Sequence, residues 1–271
     1  MNLKRLLTTV IGFPIVILVL VLGNKYIIDF IIAIIAIIAM NEYIKCVSHK
    51  TKVISWISYL SVATIALIHI IPSEILSKFY VFAIPVILLI LFLHIIISNM
   101  KITFENVVYT LMGIAYILGF CIFIPLTYGI EGNVSGKILV WYIVFSAWAT
   151  DIVAYLIGKR FGKTKFSKVS PNKSVEGCIA GIIGAVVANL VFTIAINKCF
   201  DLELSYMIVA IVSVVLSIIG QIGDFSASCI KRYFDVKDFS ELFPGHGGMI
   251  DRIDSVIFIA PFAYLLFTMF L

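Results

Sequence analysis

The sequence predicts an all-α, polytopic integral membrane helical bundle of about nine transmembrane helices with a cytoplasmic N-terminus. Three observations carry this. The chain is 62% hydrophobic and only 13% charged, whereas a soluble domain carries roughly 25% charged residues. Apolar runs recur at about the 20-residue length that an α-helix needs to cross the hydrocarbon. Basic residues cluster between alternate runs.

The nine runs are residues 6–22, 26–46, 53–71, 79–97, 107–128, 138–158, 178–196, 204–222 and 253–271. They are rich in Ile and Val, which in water would favour strands. In lipid the backbone must bond within the segment, so runs of this length are helices. A barrel would instead show short alternating segments. The first run follows Lys4 and Arg5 as a secretory leader would, but no small-x-small site follows Leu22, so it reads as a retained span. The second carries Asp29 near its outer end and Glu42, beside Asn41, near its inner end; Asp29 is expected to be bland. His69, His94 and Asn189 are expected to hydrogen-bond between helices. Asp151 lies late in the sixth run. A carboxylate there costs several kcal/mol unless it has a function, reaches the interface or pairs with Lys159. The five cysteines are scattered without a CxxC pair and read as inert apolar residues.

With the N-terminus inside, 16 of the 20 Lys and Arg fall on the inner side, and only Lys25, Lys78, Lys137 and Lys198 fall outside. The net charge of +5 is therefore concentrated on the cytoplasmic face, where it suits anionic lipids and substrates. Nothing suggests nucleic acid as a partner. The two long connections, 159–177 and 223–252, also fall inside. With no internal repeat or linker, residues 1–137 read as an N-terminal membrane region. Residues 138–271 read as the catalytic region.

The first long connection holds Lys159, Arg160, Lys163, Lys165, Lys168 and Lys173 among Ser, Thr and Gly. Such a segment can surround a polyphosphate with ammonium, hydroxyl and backbone N–H groups. Ser170-Pro171-Asn172 is a turn signal. Lys173, Ser174 and Glu176 then open the next helix, whose N-terminus favours an anion. Walker A spacing is absent, and a lipid-touching anchor is the plainer alternative. In the second connection Asp224, Ser228, Lys231 and Arg232 share a helix face, as do Asp251 and Asp254. Between them Gly245, His246, Gly247 and Gly248 permit close backbone approach to a ligand. Carboxylates from both ends could hold a hard cation such as Mg²⁺. His246 could be a base, a phosphate donor or a loop hydrogen-bonder. Asp235, Asp238 and Glu241 could be solvated charges.

The run from Ser228 to Asp254 resembles the signature of the phosphatidate cytidylyltransferase (CDP-diacylglycerol synthase) family. The residues are Ser228-x-Ile230-Lys231-Arg232, Lys237-Asp238, Pro244-x-His246-Gly247-Gly248 and Asp251-Arg252-x-Asp254. Upstream, Asp151-x-x-Ala154-Tyr155, Gly158-Lys159, Ser170-Pro171-x-Lys173-Ser174-x-Glu176-Gly177 and Gly220-Gln221-x-Gly223-Asp224 match too. The resemblance is specific over roughly residues 151–255.

The resemblance implies that CTP and phosphatidic acid give CDP-diacylglycerol and pyrophosphate, with Mg²⁺ and room for a second, monovalent cation. It also implies a bacterial inner membrane, or its equivalent, and the cytoplasmic face. It puts the metal on Asp224 and Asp251, and the nucleotide phosphates on Lys173, Ser174 and Glu176. Asp224, Lys231, Arg232, Asp251 and Asp254 are the expected catalytic set. Asp151, Ser228, Lys237, Asp238, His246, Gly247, Gly248 and Arg252 are the expected further substrate contacts. A homodimer fits such a chain. The alternatives are a CTP-dependent lipid-alcohol kinase, which would release CDP, and a transporter, which would show repeats and a midplane polar site.

Overall fold

In the computed structural model the described residues are 3–167, 170, 173–243, 245 and 247–270, with side chains described from Gly12 onward. The helices are α1 (Leu3–Leu22), α2 (Lys25–Val47), α3 (Ser55–Ala63), α4 (Ser73–Ile97), α5 (Phe104–Cys121), α6 (Phe123–Tyr128), α7 (Gly136–Phe161), α8 (Val175–Phe200), α9 (Tyr206–Tyr233) and α10 (Ile250–Phe270). Among the described residues, seven helical stretches are long and apolar enough to cross a membrane: α2, α4, α5 with α6, α7, α8, α9 and α10. The chain is a multi-pass membrane protein. Its helices stay apolar even where they are exposed, as at Phe82, Ile97, Ile183 and Met207, because lipid rather than water surrounds them.

Polar residues cap the helices at their ends. Asn24 accepts the Ile27 N–H at the start of α2. Thr103 and Asn106 form a reciprocal capping box on α5, which satisfies donors that would otherwise be orphaned at the membrane face. Ser174 caps α8 by accepting the Gly177 N–H at 3.1 Å. Asp201, in the left-handed conformation, ends it.

The chain forms two compact units. The first comprises Met1–Pro125 and Phe234–Ile250. Here the third apolar run is not one long helix. It breaks into α3, a 3₁₀ turn over Thr64–Leu67 and a further turn. Ser58, Ser61 and Thr64 bond back to the carbonyls of Ile54, Ile57 and Ser61, a competition that bends and shortens helices. The segment still runs antiparallel to α2. Tyr59 donates to Asn41 at 3.0 Å, and the His69 ring and backbone N–H meet the Asp29 carboxylate at 2.8 and 3.0 Å. Asp29 is thus a fully buried partner rather than a bland interfacial charge. His94 stacks obliquely on Trp56.

The second unit comprises Leu126–Tyr233 and Asp251–Leu271. A ladder of buried polar groups joins α7, α8 and α9. Tyr142 pairs with Thr193 at 2.9 Å. Asn189 donates to Ser146 at 2.8 Å and to Ser213 at 2.9 Å. Thr150 pairs with Ser217 at 2.7 Å, and Gln221 donates to the Cys178 carbonyl at 3.2 Å. The rungs recur every four residues on α7 and α9, one face of each helix. They climb towards Asp151 on α7 and Asp224 on α9. Asn189 is an inter-helix hydrogen-bonder, as its sequence context implies.

Candidate functional site

In the second unit, acidic and basic side chains gather where the ladder ends. Lys173, the last residue before the cap of α8, ion-pairs with Asp224 of α9. Its ammonium also lies 4.5 Å from the centre of the Phe225 ring, a cation–π contact. Phe225 in turn stacks on Phe166 of the long connection, with centroids 4.6 Å apart. Lys231, two residues before the end of α9, reaches Asp251 in the first turn of α10 at 2.5 Å. Both side chains are largely enclosed, at 13% and 4% exposure.

Asp254 lies one helical turn beyond Asp251, buried, with one carboxylate oxygen on the Ser255 N–H at 2.7 Å. Asp224, Asp151 and Lys231 act on it electrostatically. Asp151, exposed on α7, feels Asp224, Lys173 and Arg252 in the same way. Lys159, the alternative partner for Asp151, sits over the Tyr155 ring instead. The result is one cluster of four carboxylates, Asp151, Asp224, Asp251 and Asp254, interleaved with Lys173, Lys231 and Arg252.

Close helix packing builds this arrangement. Gly223 lies so near α10 that a Cβ there would sit 2.6 Å from the Asp254 carbonyl oxygen and 2.8 Å from the Phe258 Cβ. Asp224 is thereby held beside the turn that carries Asp251 and Asp254. No sequence pattern short of the folded pair reveals that approach. The Phe166–Phe225 platform under Lys173 was equally silent, because aromatic residues abound in this chain.

The other expected site residues have varied settings. Ser174 is buried as the α8 cap. Glu176 accepts the Thr164 N–H at 3.2 Å and so ties the long connection to α8. Ser228 is half-buried and Arg232 is exposed on α9. Lys237 and Asp238, both exposed, belong to the segment Phe234–Ile250 of the first unit. In that segment Gly247 has φ 81° and bridges to Phe243, and Gly248 packs on the Glu42 carboxylate. His246, Pro171 and Asn172 lie outside the described residues.

The donor set suits a hard cation. Among the described residues no three His, Cys, Asp or Glu side chains are grouped to cage a metal. Mg²⁺, however, is usually held by one or two carboxylates, with waters and substrate phosphates completing its shell. Asp224 and Asp251 fit that mode. In the protein alone Lys173 and Lys231 balance their charge.

The sequence profile described as "Cytidylyltransferase family" matches residues 3–270. The chain is 31% identical over 266 residues to the phosphatidate cytidylyltransferase of Staphylococcus haemolyticus, covering 97% of each chain. It is 40% identical over 136 residues to the phosphatidate cytidylyltransferase of Bacillus subtilis, an alignment covering 50% of this chain and 49% of that one. With the phosphatidate cytidylyltransferase of Staphylococcus saprophyticus it shares 35% identity over 179 residues, 65% of each chain.

Proposed function

The chain belongs to the cytidylyltransferase family, and from that premise we propose that it transfers CMP from CTP to phosphatidic acid, giving CDP-diacylglycerol and pyrophosphate for phospholipid synthesis. The observation that carries the reading is the carboxylate cluster with ammonium groups set on Asp224 and Asp251. The relative with that activity in its name matches almost end to end.

In the reaction a phosphatidate oxygen attacks the α-phosphorus of CTP. A new P–O bond forms, and the bond to the β-phosphate breaks to release pyrophosphate. The attacking oxygen is already an anion, so the obstacle is repulsion rather than nucleophilicity. Catalysis is therefore positioning and charge stabilisation. Lys173 and Lys231 bring cationic groups to the phosphates. Lys173 is steered by the Phe225 ring, and Lys231 is held at the turn where Asp251 and Asp254 begin α10. Arg232 and Arg252 are exposed and would serve the phosphatidate head group. Asp151 and Asp254 confine the ammonium groups by charge. Asp224 and Asp251 would hold Mg²⁺, which supplies neutralisation of the nucleotide phosphates when bound. A second, monovalent cation is compatible with the remaining carboxylates.

On this reading the membrane is the bacterial inner membrane. The chain crosses nine times from a cytoplasmic N-terminus, and residues 138–271 form the catalytic region, open to the cytoplasm. The positive-inside bias of the connections supports that orientation. The test is the purified protein with phosphatidic acid, labelled CTP and Mg²⁺, reading both products. CDP-diacylglycerol and pyrophosphate in equal amounts are expected. CDP with a phosphorylated lipid alcohol would make it a kinase, and no CTP-dependent product would refute the proposal.

A further inference from the structure

Glu42 of α2 is a carboxylate on a membrane-spanning helix, only 3% exposed. Such a group is costly in hydrocarbon unless it is fully engaged. Among the described residues its hydrogen bonds all go to one segment. Glu42 Oε1 accepts from the Ser240 hydroxyl at 2.6 Å and from the Met249 N–H at 2.8 Å. Glu42 Oε2 accepts from the Ile250 N–H at 2.9 Å. A Cβ added at Gly248 would lie 2.5–2.7 Å from the carboxylate atoms, so a side chain there would displace the carboxylate from its present position.

Both ends of the segment 240–250 therefore hang on a single side chain. Between those ends the segment is pinched by the Phe243 N–H to Gly247 O bond at 2.9 Å and turned by Gly245 and Gly247, each with φ 81°. Ile250 opens α10, so Glu42 also places a negative charge at that helix's positive end. The next residue is Asp251.

We propose that Glu42 is a positioning residue. It fixes where α10 begins and so fixes Asp251, touching neither substrate nor reacting atoms itself. This role rests on the phosphatidate cytidylyltransferase reading for its consequence in rate, but not for the anchor itself. In Glu42→Gln one anionic acceptor becomes an amide donor facing the Ile250 N–H, while side-chain volume is kept.

The test uses the full chain in lipid nanodiscs and two independent readouts. In Glu42→Gln, hydrogen exchange of the Met249 and Ile250 amides is expected to speed up. kcat for CDP-diacylglycerol formation is expected to fall about 10- to 100-fold, the range for a misplacement of order 1 Å. KM for phosphatidic acid should stay within about two-fold. The milder Ser240→Ala releases one end of the clamp only. It should lower kcat about 2- to 10-fold with undiminished folded protein, and it decides the matter if Glu42→Gln does not fold. Glu42→Gln combined with Gly248→Ala should be no slower than the worse single variant, since both open the same clamp. Unchanged amide exchange, or wild-type kcat in both Glu42→Gln and Ser240→Ala, overturns the proposal. Absence of turnover in the wild-type protein would instead defeat the reaction assigned above and leave the exchange result to decide the anchor.

Discussion

Replacing Gly223 by alanine should slow catalysis about 10²-fold in protein that still folds. The new Cβ would meet the Asp254 carbonyl oxygen at 2.6 Å, about 0.8 Å short of the 3.4 Å where ordinary contact begins. It would also meet Phe258 Cβ at 2.8 Å and Cγ at 2.9 Å. The Phe258 ring can swing, but the Asp254 oxygen is backbone, so α9 and α10 must part. Overpacking of this kind costs about 1–3 kcal/mol of stability. The same displacement enters between Asp224 on one helix and Asp251 and Asp254 on the other. A shift of order 1 Å at reacting groups costs about 10²-fold in rate, or about 2.7 kcal/mol of barrier. The assay is CDP-diacylglycerol formation per mole of folded protein, alongside thermal unfolding in detergent. Gly119→Ala is the control, because a Cβ there meets nothing within 4 Å; its turnover should equal wild type. If Gly223→Ala turns over within about two-fold of that control, helix spacing does not set the site, and the reasoning fails.

Asp251→Asn should abolish CTP- and Mg²⁺-dependent turnover while the protein still inserts, as judged by membrane fractionation. Lys173→Gln removes an ammonium worth about 1.5–3 kcal/mol in a charge-assisted contact, so kcat/KM for CTP should fall on the order of 10- to 100-fold. Chelation of divalent cations should stop the reaction, and Mg²⁺ should restore it fully, which a rate assay with EDTA followed by add-back will show. Asn189→Leu should cost about 1–2 kcal/mol in detergent unfolding and leave turnover largely intact, since that rung of the ladder lies far down α8 from the Ser174 cap.

The helices were legible because length and hydropathy dominate in a membrane, and the runs that became α2, α7, α8 and α9 needed no tertiary information. The run over residues 53–71 was only partly legible. Its hydropathy resembles that of its neighbours, but Ser58, Ser61 and Thr64 bond to the local backbone and break it into α, 3₁₀ and turn. In the site, the acids and lysines stood out because charge is scarce in an apolar chain. Their pairing did not. The sequence places Lys173 at a helix start and Lys231 on a shared face with Asp224, whereas in the fold Lys173 takes Asp224 and Lys231 takes Asp251. Partners 51 and 20 residues apart are chosen by packing, which local spacing does not encode. Glu42 was visible as an odd charge, but its partners lie about 200 positions along the chain.

The rungs linking α7, α8 and α9 bear on how the protein is made. Before the helices pack, Asn189 lacks the Ser146 and Ser213 hydroxyls that it bonds in the fold. Rotating one helix by the angle between successive residues, about 100°, turns its polar face away from its neighbours, so every rung misses at once. A near-miss docking thus gains almost nothing, and the three segments stay free to part and try again. The spaced hydroxyls and the amide act as a combination lock during biogenesis. The alignment that closes the rungs is also the one that brings Asp151 within reach of the charge on Asp224.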